Sequence, residues 1–456
     1  MNRMDRIEGR QGRGLHVRLV LSAAMAISLA ACTVGGESPS VGPEASASDS
    51  ATSQTPTENQ TLETWPLVSE SAAPTATSMA CARMRGSGRW TGLNWSVEKS
   101  RLPAQASGED GMEGTFTLYA WSKGYLGFRP DPVAEGASAQ EIQIDASTDG
   151  LSWSVVQALT ITPSAGLSLP ISIVRVVEGP AGLLALGTWA GQRADFPAKR
   201  PVAVVLRSID GRHWIYDSAA AVFGSVNVGT VDARSIGYVA TGWSNDGQQA
   251  LVWVSSDGSA WRKSQLPGPA GIVPVDITAF GGGYLLLAAV VGDESAGTVT
   301  PSLWWSADGL QWDQAAVPGM RPGGTLLGDM YTAVERINDH ALLATEYTYD
   351  APTQTSTQTA WVSTDGRTWC RDDAASAVWP GQMVSYGDRG LYVEPTRDYS
   401  GPTAIRAFRD DFSLVELAQS GSVPPGEIVQ MALGPAGLVA TDYNGSVFYL
   451  GVPTSD

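Results

Sequence analysis

The sequence Ser147-Thr148-Asp149-Gly150-Leu151-Ser152-Trp153 decides the fold, because its pattern, S-x-D-G-x-x-W, occurs five times. The other copies run from Ser208 to Trp214, Ser255 to Trp261, Ser306 to Trp312 and Ser363 to Trp369. Successive motif tryptophans are 47 to 61 residues apart. A self-similar unit of about this length is typical of a propeller or a solenoid array.

Each copy predicts a hairpin turn. Asp-Gly between apolar stretches is a strong short-range hairpin signal, and the aspartate side chain can accept hydrogen bonds from the backbone of its own turn. The tryptophan then begins the return strand and supplies an apolar face for a neighbouring repeat. We therefore interpret the repeated residues as structural, with no catalytic role: Asp149, Gly150, Trp153, Asp210, Gly211, Trp214, Asp257, Gly258, Trp261, Asp308, Gly309, Trp312, Asp365, Gly366 and Trp369.

The residues around each turn predict four short antiparallel strands, which together make one propeller blade. The sixth hairpin, Arg409 to Phe412, lacks the pattern. The six full units span Thr115 to Val156, Ile171 to Tyr216, Asn227 to Leu266, Val275 to Val317, Met330 to Arg371 and Val384 to Leu417.

The last unit, Glu427 to Leu450, has only three predicted strands. The stretch Gly92-Leu93-Asn94-Trp95-Ser96 keeps the G-x-x-W half of the repeat and can supply the fourth. We predict an all-β, seven-bladed β-propeller over residues 81–456, in which the N-terminal strand closes the last blade and leaves no sheet edge at the join. Six or eight blades are the alternatives.

The repeat resembles the Asp-box (BNR) repeat of sialidases and related propellers, whose usual form is S-x-D-x-G-x-x-W. All five copies here have one residue fewer between Asp and Gly, and together they cover the repeat turns of most of residues 81–456. In that family the boxes lie at the blade periphery, away from the ligand site. The resemblance therefore implies a fold rather than an activity.

A sialidase of this family would also use several arginines for the substrate carboxylate, a Tyr–Glu nucleophile pair and an Asp acid. Family members usually carry an F/Y-R-I-P stretch that supplies the first arginine. The nearest stretch here, Phe128-Arg129-Pro130, lacks the isoleucine and lies in the first blade. We interpret it as a coincidence.

The N-terminal region predicts export. Arginines from Arg3 to Arg18 precede an apolar run from Leu19 to Leu29, which is typical of a signal peptide over residues 1–31. The stretch Leu29-Ala30-Ala31-Cys32 resembles a bacterial lipobox, which implies a lipid on Cys32 and anchoring to the outer face of the bacterial cell membrane. Residues 32–80, rich in Ser, Thr, Pro and Ala, predict a disordered tether.

Charge and composition exclude several classes of function. The formal net charge of −17 argues against a nucleic-acid partner, which requires clustered Lys and Arg. Without the signal peptide only His213 and His340 remain, so neither a histidine-rich metal site nor a His-dependent triad is expected. We predict no metal and no cofactor. Cys81 and Cys370 are an even pair for one disulfide in an oxidising compartment.

A candidate ligand face follows from the strand order. Loops between second and third strands share one face with the loops that link blades, opposite the Asp-Gly turns. Aromatic, arginine and carboxylate side chains on such loops are typical of a binding face. The candidates are Trp189, Arg193, Trp243, Glu346, Tyr347, Tyr349, Arg397 and Tyr399.

We therefore expect a monomeric, membrane-anchored lipoprotein whose propeller is a non-catalytic binding or scaffolding module for a glycan or an envelope protein. One alternative is a sialidase-like exo-glycoside hydrolase that acts at the central pore. The other is a purely structural envelope protein without a small-molecule ligand.

Overall fold

A computed structural model describes most of the chain from Trp90 onward. The described residues are Met84, Leu102, and the ranges 90–99, 116–132, 139–162, 171–191, 200–224, 227–244, 249–268, 272–280, 282–291, 298–317, 324–325, 330–350, 355–373, 382–394, 404–424, 430–442 and 445–455. The predicted signal peptide, tether, lipidation site Cys32 and Cys81 lie outside them.

The strands form seven sheets, and in six of them the main strand order follows the chain. Blade 1 comprises β2 (Thr117–Trp121), β3 (Gly124–Pro130), β4 (Gln140–Ser147) and β5 (Ser154–Ile161). Blade 2 comprises β6 (Ser172–Gly179), β7 (Gly182–Gly191), β8 (Arg200–Ser208) and β9 (Trp214–Ser218), followed by the short helix α1 (Ala219–Phe223). Blade 3 comprises β10 (Asn227–Arg234), β11 (Gly237–Trp243), β12 (Ala250–Ser255) and β13 (Arg262–Gln265).

The next three blades repeat this arrangement. Blade 4 comprises β14 (Ile272–Phe280), β15 (Gly283–Val291), β16 (Thr298–Ser306) and β17 (Asp313–Ala315), with β18 (Gly324–Thr325) also paired to β16. Blade 5 comprises β19 (Met330–Asn338), β20 (Ala341–Asp350), β21 (Thr355–Ser363) and β22 (Cys370–Arg371). Blade 6 comprises β23 (Gln382–Tyr386), β24 (Arg389–Glu394), β25 (Ala404–Phe408) and β26 (Leu414–Glu416).

Blade 7 joins the two ends of the domain. It comprises β28 (Gln430–Leu433), β29 (Leu438–Thr441), β30 (Val447–Ser455) and the N-terminal strand β1 (Trp90–Lys99), which pairs antiparallel with β30. The strand β27 (Ala418–Gly421) then pairs parallel with the other side of β1. The seven-bladed prediction is confirmed, and so is closure by the N-terminal strand. The sequence did not predict that a further strand would cover the closing one.

The core lies between the blades. First strands of successive blades contact one another, so these strands are innermost and surround the ring axis. Among the described residues, buried apolar side chains gather in seven clusters, one at each blade interface. For example, Trp153 of blade 1 stacks on Phe448 of blade 7 with ring centroids 4.5 Å apart. The motif tryptophans therefore pack against neighbouring repeats, as expected.

The repeated turns have the predicted geometry. In blade 3 the backbone N–H of Gly258 donates to Ser255 Oγ at 2.8 Å. The carboxylate oxygen Oδ1 of Asp257 accepts hydrogen bonds from the N–H groups of Ser259 at 2.8 Å and Ala260 at 2.9 Å. These bonds lower the pKa of Asp257 below its usual value. The aspartate therefore fixes the turn as an ionised acceptor.

Three of the turn glycines also lie close to the preceding blade. Gly309 has φ of +77°, and a Cβ built on it would lie 2.6 Å from Val239 of blade 3. The equivalent Gly150 would meet Val439 of blade 7 at 2.5 Å, and Gly211 would meet Trp121 of blade 1 at 2.7 Å. A side chain at these positions would therefore both strain the turn and push the preceding blade away.

The sixth turn keeps its shape although the sequence pattern is lost. Phe412 stands where the other turns have glycine and has φ of 65°, the only positive φ of a non-glycine residue among those described. Asp411 Oδ1 accepts a hydrogen bond from the N–H of Ser413 at 3.1 Å, as the motif aspartates do. The hairpin is therefore a sixth copy in conformation, with different residues.

Two substitutions test whether glycine is required at the turn positions that contact the preceding blade. We expect Gly309→Ala to destabilise the protein by about 1–3 kcal/mol, because it combines positive φ with an inter-blade contact. Gly282→Ala is the control, since a Cβ there would meet nothing within 4 Å, and we expect a change within about 0.5 kcal/mol. Urea denaturation of the two variants measures the difference. Equal stability of both would contradict the inter-blade assignment.

Candidate functional site

A polar cluster on the innermost strands is the candidate functional site. Arg175 of β6, Thr230 of β10 and Asp276 of β14 occupy equivalent positions, each directly after a register shift in its pairing with the second strand. β-Bulges of this kind re-aim side chains and are over-represented near active sites. Three successive blades thus direct a polar side chain toward the same region at the ring centre.

Arg175 connects three blades. Its guanidinium Nη1 lies 2.7 Å from Asp276 Oδ1, and its Nη2 lies 3.4 Å from Asp232 Oδ2 on β10. Thr230 donates to Asp276 Oδ1 at 3.0 Å, and the N–H of Ala279 donates to Asp232 Oδ2 at 2.7 Å. Every charged group of this network therefore has a partner from another blade.

The network remains accessible to water. The side chains of Arg175 and Asp276 are 30% and 33% exposed although they lie on innermost strands. Burial alone would lower the pKa of Arg175, but the charges of Asp276 and Asp232 raise it overall. The guanidinium therefore stays charged, and the Arg175 side chain is partly exposed to solvent.

Tyr119 of β2 extends the cluster into blade 1. Its hydroxyl donates to the carbonyl oxygen of Ile173 at 2.8 Å, and burial raises the pKa of this tyrosine well above its usual value. Tyr119 is therefore neutral at physiological pH and fixes the position of β6 just before the bulge.

Glu335 of β19 completes the cluster and differs from the other carboxylates. Among the described residues it has no hydrogen-bond or ion-pair partner. Burial, followed by the negative charge of Asp276, raises the pKa of Glu335 to about 7. A carboxyl group with this pKa can donate or accept a proton near neutral pH. It is the one described group of the cluster with free capacity for acid–base chemistry.

The charge of the cluster limits what it could bind. One arginine faces three carboxyl groups, so an anionic ligand would meet repulsion and an arginine already engaged by two aspartates. Within the described ranges, no group of three His, Cys, Asp or Glu side chains is placed to hold a metal ion.

The predicted ligand face is only partly covered by the described residues. Glu346 lies on β20 and is buried, at 4% exposure, while Trp243 ends β11 and is half-buried. Trp189, Tyr347 and Tyr349 lie on second strands, β7 or β20, but only their backbones are described. Arg193, Arg397 and Tyr399 lie outside the described residues. Whether this set forms one surface stays a prediction.

Arg129, from the stretch compared with the sialidase arginine motif, is directed elsewhere. Its side chain is 6% exposed and pairs with the fully buried Asp145 at 2.8 Å within blade 1. Arg129 is therefore buried in an ion pair within the sheet.

The central cluster was not predicted from the sequence, where the candidate ligand residues were assigned to loops on one face. The available signal was a charged residue inside an apolar strand, as in Ile173-Val174-Arg175-Val176-Val177. The contacts between Arg175, Asp232 and Asp276 join positions up to 101 residues apart in sequence. Only the ring brings them together.

Cys370 is disulfide-bonded. The two other cysteines of the chain, Cys32 and Cys81, lie outside the described residues, so the pairing with Cys81 stays a prediction. Met84, three residues from Cys81, packs in the same apolar cluster as Cys370.

Comparisons with known proteins return similar structures but no sequence relatives. No protein-family model matches the chain, and no curated protein matches it. A protein of unknown function from Dyadobacter fermentans is 12% identical, with 78% of this chain and 99% of that chain covered and a TM-score of 0.40. A Hadza microbial sialidase is 12% identical, with 76% and 67% covered and a TM-score of 0.39.

A neuraminidase-like protein of A/flat-faced bat/Peru is 11% identical, with 75% of this chain and 98% of that chain covered and a TM-score of 0.36. At these TM-scores the similarity carries no functional argument, and the fold assignment rests on the strand order. In the described part of the chain, no helix has the length and apolar character needed to cross a membrane.

The raised pKa of Glu335 predicts a pH dependence of stability. The folded protein holds this proton up to a pH of about 7, whereas the unfolded chain releases it near 4.5, so folding stability should fall as pH rises through that window. We expect Glu335→Gln to remove this decline. Urea denaturation between pH 4.5 and 8 tests it, with the exposed Glu416→Gln as control. An unchanged pH profile in Glu335→Gln would contradict the assignment.

The disulfide prediction is tested by mapping peptides without reduction. We expect a cross-linked peptide containing Cys81 and Cys370, and its loss on reduction. A cross-link from Cys370 to Cys32, or two free thiols in the exported protein, would contradict it.

Proposed function

We propose that the protein is an exported bacterial lipoprotein, anchored through Cys32, whose propeller is a non-catalytic binding or scaffolding module. The Asp-box assignment of its repeats belongs to the same proposal. The observation that carries the non-catalytic part is the closed network at the ring centre, where Arg175, Asp232 and Asp276 bind one another across three blades.

A catalytic centre needs groups that are free to act on the substrate. Hydrolysis of a sialoside by the family mechanism would need several arginines free to bind the substrate carboxylate. Arg175 is held by two aspartates, and Arg129 by Asp145. The polar groups described at the centre therefore support a role in holding blades together.

The anchor is supported by the N-terminal sequence. Leu29-Ala30-Ala31-Cys32 follows a basic segment and an apolar run, and a polar segment of about 50 residues separates it from the first strand. A flexible segment of that length would hold the propeller on the order of 35–40 Å from the membrane surface. This distance would give partners access to the whole ring.

The anchor is tested with Cys32→Ala expressed in a bacterium that processes lipoproteins. We expect the unaltered protein in the membrane fraction with a mass increase on its N-terminal peptide, and the variant unmodified and released. Cys370→Ser serves as control for loss of a cysteine and should remain membrane-bound. Equal membrane association of Cys32→Ala and the unaltered protein would overturn the lipoprotein proposal.

Binding is tested with a glycan array and with isolated bacterial envelope proteins. If the loop face binds, Trp243→Ala should weaken the interaction, whereas Ile209→Ala on the turn face should not, although Ile209 is 80% exposed. Thermal denaturation of both variants controls for folding. No ligand in either screen, with normal folding, would favour the purely structural alternative.

A second candidate function is glycoside hydrolysis, favoured by Glu335, whose pKa burial and the negative charge of Asp276 raise to about 7. Two carboxyl groups are the minimum that such hydrolysis needs, and the centre is polar. A panel of fluorogenic glycosides separates the two functions. Turnover that is lost in Glu335→Gln and retained in Glu416→Gln would establish hydrolysis and overturn the non-catalytic proposal; no turnover supports it.

A further inference from the structure

The sixth turn departs from the repeat at two informative positions. Arg409 stands where the other turns have serine, and Phe412 stands where they have glycine. A phenylalanine at φ of 65° is strained, and such strain persists only when surrounding contacts maintain it. The residues that replace the consensus should therefore make contacts that the other turns lack.

Those contacts are made with the segment that precedes β1. The N–H of Met84 donates to the carbonyl oxygen of Asp410 in the sixth turn at 2.8 Å. Arg409 Nη2 donates to the carbonyl oxygen of Trp90 at 3.3 Å. Phe412, at 2% exposure, packs in the same apolar cluster as Met84. Two of the residues that replace the consensus, Arg409 and Phe412, thus lie against Trp90 and Met84.

Residues beside the turn hold the same segment. Asn338 Nδ2 at the end of β19 lies 3.2 Å from the sulfur of Met84 and donates to the carbonyl oxygen of Asp388 at 3.0 Å. The guanidinium of Arg389 lies 5.4 Å from the ring centroid of Trp90. Met84 and Trp90 are 2% and 7% exposed. Blades 5 and 6 therefore bury Met84, and Trp90 is buried between blades 6 and 7.

We infer that the sixth turn is a docking site for the chain's own N-terminal segment, and that Met84 and Trp90 form a latch that secures the closing strand β1. The latch lies at the end of β1 where separation from β30 would begin. β1 begins at Trp90, where it pairs with Ser455 at the end of β30. A pull on the preceding chain would otherwise separate these two strands one pair at a time from that end.

The latch changes where such a pull acts. Met84 is fixed to blades 5 and 6, whereas the pairs of β1 belong to blade 7. A force on the preceding chain therefore meets the Met84 contacts before it reaches the ring closure. This inference rests on contacts between described residues and does not require that the N terminus carry a lipid.

Hydrogen exchange of the full-length protein tests the latch. Arg409→Ser restores the consensus serine, so the turn itself should remain intact while the contact to Trp90 is lost. Met84→Ala removes the buried side chain. In both variants we expect amide exchange in Trp90–Lys99 to rise by about tenfold or more through local opening. Exchange in β10–β13 of blade 3 should stay unchanged.

Phe128→Ala is the matched control, because it removes a fully buried side chain between blades 1 and 2. It should lower global stability without a selective change in β1.

Trypsin cleavage after Arg85 and Arg89 gives a second readout, and it should be faster only in the latch variants. If both latch variants leave amide exchange in β1 and cleavage at these arginines unaltered, Met84 and Trp90 do not secure β1 and the inference is wrong. The inference is also wrong if amide exchange in the fourth strands of the other blades rises as much as in β1.

Discussion

Close contacts between a turn glycine and the preceding blade set the spacing at three of the seven blade interfaces. A Cβ at Gly309, Gly150 or Gly211 would meet the neighbouring blade at 2.5–2.7 Å, a distance that folded proteins do not tolerate. Tyrosine hydroxyls add a directional bond at some of the same interfaces: Tyr284 donates to the carbonyl oxygen of Gly237, at 3.1 Å, and Tyr125 to that of Gly437, at 2.8 Å. Burial raises the pKa of both phenols to about 12, so both remain donors. The repeat therefore encodes how blades meet as well as how each hairpin turns.

Residues that repeat and residues that do not repeat have different functions in such a ring. Five hairpin turns need the same hydrogen bonds, so the turn residues recur at fixed offsets. The centre is shared by all blades and needs a different contribution from each: an arginine from β6, aspartates from β10 and β14, and a glutamate from β19. The candidate site thus lies where the innermost strands of successive blades carry different side chains.

The fold could be predicted from the sequence because its signals are local and repeated. Five copies of one turn pattern and the half-copy around Trp95 mark six blades and the ring closure, and the strands predicted in Val384 to Leu417 add the seventh. The site was not predictable in the same way, since Arg175, Asp232 and Asp276 are single residues in apolar strands. A bulge in the pairing re-aims Arg175 and Asp276, and that bulge has no sequence signature that distinguishes it from regular strand. The strand β27 was also not predicted, because its four residues, one of them glycine, show no alternation of apolar and polar side chains.

The position of β1 has a consequence for how the chain folds. Of the described strands, β1 is the first to be made and its partner β30 the last, and their pairing joins residues 348 to 365 positions apart. Contacts of such high sequence separation form slowly, because a long loop must close before any bond is gained. Six blades can assemble while β1 is still unpaired, and the ring closes only after β30 has been synthesised and has paired with β1. A chain that ends a few residues early would therefore lose its first strand together with its last.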